Sequence, residues 1–135
     1  MRNALAIPIV LLTLVIVPEA RTADLAGRYS GDWASSANGV NGAFHLSLAR
    51  AGADKWNLEV TFTMAGAEVK TTTRSIKVEG AKLQAAYDFD LGGNVLRSSI
   101  EGHLADGKLE GSYKTTTVAD GSPVDEGTWK AAAAR

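Results

Sequence analysis

The residue types that first suggest chemistry in this chain are two histidines, His45 and His103, and the spaced run Asp88-x-Asp90-x-Gly92-x-Asn94. A protein zinc site takes three or four nitrogen, sulfur or oxygen ligands at about 2 Å. The chain has no cysteine and no third histidine, so the two histidines would need carboxylates brought to them by the fold. The acidic run has the look of a calcium loop but lacks the ordered ligand spacing and terminal glutamate of such loops. Serine and aspartate are abundant, yet no serine stands in a pattern that marks it as an activated nucleophile. No glycine-rich phosphate loop opens a helix. The expectation is a protein that is not an enzyme, with no catalytic residue, no metal site and no cofactor.

Binding is the more promising chemistry. Three aromatic residues, Trp33, Tyr113 and Trp129, share their spacing with small ones: Gly102, Gly111, Ser98 and Thr115. Small residues beside large rings either make room for the rings or leave a cavity. A cavity walled by glycines and floored by aromatics would take a small apolar or amphipathic ligand, since ligand sites are mostly apolar with a few placed polar groups. Arg74 is a further candidate. Turned inward, it would need an anionic partner, because a buried guanidinium left alone is costly.

The elements that would position these residues are strands. Turn signals centre near Asn38-Gly39, Gly52, Gly66, Gly80, Gly92-Gly93, Asp106-Gly107 and Asp120-Gly121. Between them the sequence alternates apolar and polar residues, the period of a half-buried strand. The stretch Lys55–Met64 is the clearest, with Trp56, Leu58, Val60, Phe62 and Met64 on one face. Gly27–Ser35 turns Tyr29, Gly31 and Trp33 the same way, and Gly42–Arg50 turns Phe44, Leu46 and Leu48. In the second half, inward positions are Leu83, Ala85, Tyr87 and Phe89, then Leu96, Ser98, Ile100, Gly102 and Leu104. They continue with Leu109, Gly111, Tyr113 and Thr115, and end with Gly127, Trp129 and Ala131. The stretch Glu68–Val78 fits only with a bulge near Thr71-Thr72-Thr73, since one extra residue flips the face of everything after it. That bulge decides whether Arg74 points inward or outward.

Seven short connections suit antiparallel neighbours, because parallel crossovers need a dozen or more residues. The expected fold is all-β: an antiparallel eight-stranded up-and-down meander, as a closed or nearly closed barrel after an N-terminal signal peptide. Closure removes exposed edges, and eight strands enclose side chains or one small ligand. A void of about 300 Å³ or more would favour an interior ligand. A filled core would favour a protein-interaction or structural envelope domain. Small residues that merely fit rings into the barrel taper are the competing reading of the glycine cluster.

Gly31-Asp32-Trp33 on the first strand of such a meander resembles the calycin barrels, the group of lipocalins, fatty-acid-binding proteins and avidins. In lipocalins that tryptophan closes the barrel floor beneath a basic residue of the last strand, which the resemblance would assign to Lys130 or Arg135. The chain is also similar to small uncharacterised exported bacterial β-domains that begin Gly-x-Trp and end Gly-x-Trp then Arg, here Gly127-Thr128-Trp129 and Arg135. The first resemblance implies a ligand-holding barrel; the second implies export and fold without a chemistry.

Composition agrees with a single exported domain. The 135 residues are 45% hydrophobic and 21% charged, with formal net charge −1. No block of like charge points to nucleic acid or an anionic membrane surface. Met1-Arg2-Asn3 is a basic start, Ala4 to Val17 is apolar, and Pro18-Glu19 stops the run. That is the layout of a secretory signal peptide, and it is short of the ~20 apolar residues of a membrane span. The expected division is 1–23 signal peptide and 24–135 barrel domain, periplasmic or secreted, without stable membrane insertion after cleavage. Export without cysteine suits a bacterial periplasm.

Overall fold

A computed structural model of the chain describes residues 25–134. The expected leader over 1–23 lies outside the described residues, as does Arg135. Among the described residues no helix is long and apolar enough to cross a membrane.

These residues form nine strands: β1 (Gly27–Ser35), β2 (Asn41–Arg50), β3 (Trp56–Met64), β4 (Ala67–Lys70), β5 (Thr72–Glu79), β6 (Lys82–Leu91), β7 (Asn94–Ala105), β8 (Lys108–Thr117) and β9 (Pro123–Ala133). All pairs are antiparallel, in the order β4-β3-β2-β1-β9-β8-β7-β6-β5. The first and last long strands therefore pair, and a meander curls strongly into an open barrel. Three two-residue turns have both central residues at positive φ: Ala65-Gly66, Gly92-Gly93 and Asp106-Gly107. Such turns twist with the flanking strands, which is why they serve tight hairpins.

The ninth strand arises where the sequence is irregular. The stretch expected as one strand over 68–78 changes partner midway, pairing with β3 as far as Lys70 and with β6 from Thr72. It carries a bulge between Thr73 and Ser75. The bulge reconciles an inward Val69 with inward Ile76 and Val78. It also turns Arg74 outward, where its side chain is 53% exposed and its Nε lies 3.2 Å from Asp88 Oδ2. The sheet edges β4 and β5 thus belong to one continuous stretch. The seam between β3 and β5 has no backbone ladder and is bridged by hydroxyls: Thr71 Oγ1 donates to the Val60 carbonyl at 2.7 Å and Thr73 Oγ1 to the Leu58 carbonyl at 2.6 Å. Side chains satisfy the two edge carbonyls there.

The curl depends on glycines. A Cβ on Gly31 would stand 1.9 Å from the Lys130 carbonyl oxygen, one on Gly127 2.0 Å from that of Ala34, and one on Gly111 1.6 Å from that of Glu101. A strand glycine often marks such a close backbone approach or a barrel corner.

The two ends of the barrel differ. At one end lie Leu25-Ala26, residues 51–55, Gly80-Ala81 and Asp106-Gly107. Its interior is filled by Leu25, Leu83 and Leu109, each 0% exposed, with Leu48, Leu58 and Ala131. Leu25 acts as a plug, its carbonyl accepting the Tyr29 hydroxyl at 2.8 Å. At the other end lie residues 36–40, Ala65-Gly66, Gly92-Gly93 and 118–122. All three buried polar side chains among the described residues, Ser35, Ser98 and Thr115, are there.

Candidate functional site

Alternation along the strands places inward residues near this second end, and the register brings them together. Trp33 of β1, Phe44 of β2 and Phe62 of β3 form one side. Tyr87 and Phe89 of β6 and Tyr113 of β8 form the other, with Met64 at the edge. The rings stand as walls, not as a stack. Trp33 meets Phe62 and Tyr113 edge-on, each at 6.1 Å between centroids and at 84° and 85°. Phe62 meets Phe89 at 5.0 Å and 84°. Edge-to-face pairs of this kind place the positive rim of one ring on the negative face of another.

Between the walls is a small pocket open to solvent. About 30 Å³ of it can hold the centre of a water-sized group, room for one or two waters or one small substituent. Ser98, Thr115 and Asp125 supply its polar atoms. The Ser98 and Thr115 hydroxyls share a 2.6 Å hydrogen bond. Asp125 is half-buried at an inward-facing position near the start of β9. Its Oδ1 accepts from Ser35 Oγ at 2.6 Å and its Oδ2 from the Tyr113 hydroxyl at 2.8 Å. Burial, and the Asp125 carboxylate it donates to, push the Tyr113 phenol up from its ordinary pKa. Burial does the same to Tyr87, against a smaller opposing effect of Ser98.

The strands β2 and β3 part at this end to admit the Trp33 indole. Their ladder runs to Phe44 opposite Phe62. Beyond it the Ala43 amide donates to Thr63 Oγ1 at 2.8 Å, and Trp33 Nε1 donates to the Thr63 carbonyl at 3.0 Å. Gly42 makes this possible, since a Cβ there would sit 2.7 Å from the indole nitrogen.

The residues expected to build a glycine-walled cavity are thus divided. Trp33, Tyr113, Ser98 and Thr115 meet at the pocket. Gly102, Gly111 and Trp129 do not line it. They lie side by side across β7, β8 and β9, where the Trp129 ring fills the space over Gly102, 2.6 Å from where a Cβ would be. Trp129 is held by its Nε1 bond to the Ser112 carbonyl at 3.1 Å and packs on Phe44 at 5.1 Å. Among the described residues, backbone and indole take the space that a Cβ on these glycines would fill. Arg74 is on the outer face with Asp88. Lys130 also faces outward, opposite Asp32 and Glu110, so it does not cover Trp33.

Phe44, Phe62, Met64, Tyr87 and Phe89 were legible as inward positions, though not as neighbours in a site. Asp125 was missed. It shares the inward parity of Gly127 and Trp129, and extending that alternation two residues toward the N-terminus would have found it. The other acids with suggestive spacing serve locally. Asp88 takes a two-pronged bond from Arg97 at 2.6 and 3.0 Å, which holds its carboxyl below the usual carboxylate range. Asp90 accepts the Gly93 amide at 3.0 Å within its hairpin. His45 bonds Ser30 at 3.1 Å on the outer face. Among the described residues no group of three or more His, Asp or Glu side chains could hold a metal ion.

No protein-family model matches the chain, and neither a curated protein nor a solved structure matches it.

Proposed function

We propose that this is an exported, non-enzymatic binding module that takes a small amphipathic group at the aromatic end of its barrel. One observation carries the reading: an open pocket and the buried polar side chains of the described residues occur together at one end of the barrel. A concave, largely apolar pocket with a few convergent polar groups is the usual form of a ligand site, and barrel mouths are frequent places for one. The pocket is far below the ~300 Å³ that a whole lipid-like molecule needs. The ligand would therefore insert one group and leave the rest outside. Kinship with the calycins belongs to this proposal, supported by the meander order and by the inward Trp33 on β1. Export rests on the leader pattern of residues 1–23.

The reading is tested by amide chemical-shift mapping of the isotope-labelled protein against a panel of small amphipathic fragments. Saturable shifts should gather at Trp33, Phe44, Ser98, Thr115 and Asp125 and spare Leu83, Leu109 and Ala131. Shifts confined to the outer face, or no saturable binder at all, would overturn it.

A second reading is a protein-interaction domain with a solid core. It is favoured by the placement of the exposed large hydrophobics, Val40, Leu91, Val95, Val118 and Val124, all in turns or strand ends at this same end. Shifts at these five residues on adding a protein partner, with none at the pocket, would select it.

A further inference from the structure

We infer that the group taken by the open-end pocket is a small organic ammonium. The inference rests on the binding reading and adds the ligand's charge. Three observations support it. First, the walls are aromatic. Six of the nine aromatic residues in the chain line this one pocket. Ring faces carry negative electrostatic potential and attract a cation within about 6 Å, more strongly where water is excluded.

Second, among the described residues the one charged side chain at the pocket is Asp125. Its two hydrogen-bond donors, Ser35 and Tyr113, are neutral hydroxyls. They orient the carboxylate without cancelling its charge. Each oxygen accepts one of these bonds and keeps capacity for another. Among the described residues no Lys or Arg lines the pocket. A purely apolar group would cover a half-buried carboxylate and give nothing back for its lost hydration. An anion would face like charge. An ammonium meets the carboxylate and the ring faces at once.

Third, the size is right for a head group and no more. About 30 Å³ of water-accessible space admits one substituent. Val40 and Leu91, 49% and 38% exposed, hold inward-parity positions at the same rim, where the apolar body of the ligand would lie.

The test compares cations with neutral partners of similar shape: choline against 3,3-dimethylbutan-1-ol, and methylammonium against methanol. Binding to the full exported protein is followed by chemical-shift titration, including the Trp33 indole N–H. At least one cation should bind saturably, about tenfold or more tighter than its neutral counterpart, as expected for a cation–π and carboxylate contribution of that order. Asp125→Asn should cut the cation's advantage over its neutral counterpart about tenfold. If Asp125→Asn loses its folded spectrum, Phe89→Leu, which removes one ring face, should weaken the cation selectively. A neutral compound binding as well as its cation would overturn the ammonium inference and leave the binding reading standing. Binding of neither class, there or from the wider fragment panel, would remove both. Selectivity for the cation that survives both variants would overturn the assignment to Asp125 and the cage.

Discussion

The plugged end and the open end of this barrel use the same strands and the same alternation, yet they solve different packing problems. At the plugged end the inward residues are mostly aliphatic, with Tyr29 and Trp56 among them. Leu25, Leu83 and Leu109 are wholly buried, and the Tyr29 hydroxyl is satisfied by the Leu25 carbonyl. Branched aliphatic chains interdigitate to crystal-like density and leave little space. At the open end the inward residues are flat rings set edge-on or tilted to one another, with hydroxyls and a carboxylate between them. Plates packed at such angles leave a gap, and the polar atoms in the gap pair with one another. Stability is therefore concentrated at one end and the capacity for recognition at the other, because a site needs space and polar groups that a tight core excludes.

The contrast can be broken by substitution. The largest effect is expected midway, at Gly111, where a Cβ would stand 1.6 Å from a carbonyl oxygen of β7. Gly111→Val places a Cβ on the Glu101 carbonyl and should cost more than about 3 kcal/mol, by analogy with severe overpacking. Denaturant unfolding measures it, and a cost under about 1 kcal/mol would mean the strands can part there. Next, the two ends should separate. Leu109→Ala at the plugged end should cost about 3 kcal/mol, within the range for buried leucines. Ser98→Ala at the open end should cost about 1 kcal/mol, the worth of one buried hydrogen bond. Equal losses in urea melts would erase the distinction.

A smaller effect is expected in the turns. Ala65, at φ 53°, occupies the left-handed region in the open-end hairpin, and Gly66 follows it. Ala65→Asn should stabilise by about 1 kcal/mol, the strain of a Cβ in that region; no gain in unfolding midpoint would show that the turn is unstrained. The smallest effect is a pH dependence on the outer face. Arg97 lowers the Asp88 pKa in the folded state, so the folded protein holds the proton less tightly than the unfolded chain. This contribution is complete above the unfolded value of about 3.9 and is lost as pH falls through the lower folded value. Asp88→Asn should flatten the fall in melting temperature below about pH 4. An unchanged acid limb would remove Asp88 from the account.

Much of the fold was legible because each strand carries its own pattern. The stretch Trp56–Met64 fixed its inward face by five alternating apolar residues, and Asp106-Gly107 marked its hairpin by residue type. The irregular stretch announced a bulge, although the alternation could not say that the bulge sits at Arg74, one residue beyond the threonine run. That position depends on where the chain leaves β3 for β6, which is a matter of two other strands. The site was less legible. Gly102 and Gly111 share their parity with Ser98 and Tyr113, so all four looked like parts of one wall. Glycine's missing side chain reads as vacant space in a sequence, whereas in the barrel the space over Gly102 is taken by the Trp129 ring.

The sequence by itself determined which residues face inward, because alternation is a local property of an extended backbone. Only the tertiary structure decided how high along the barrel each inward residue sits. Height depends on strand register and tilt, set by all the pairings together. That is why Ser35 and Thr115, far apart in the chain, meet with Asp125 at the open end. It is also why the pocket is a small aromatic cup and not the glycine-walled chamber that parity alone suggested.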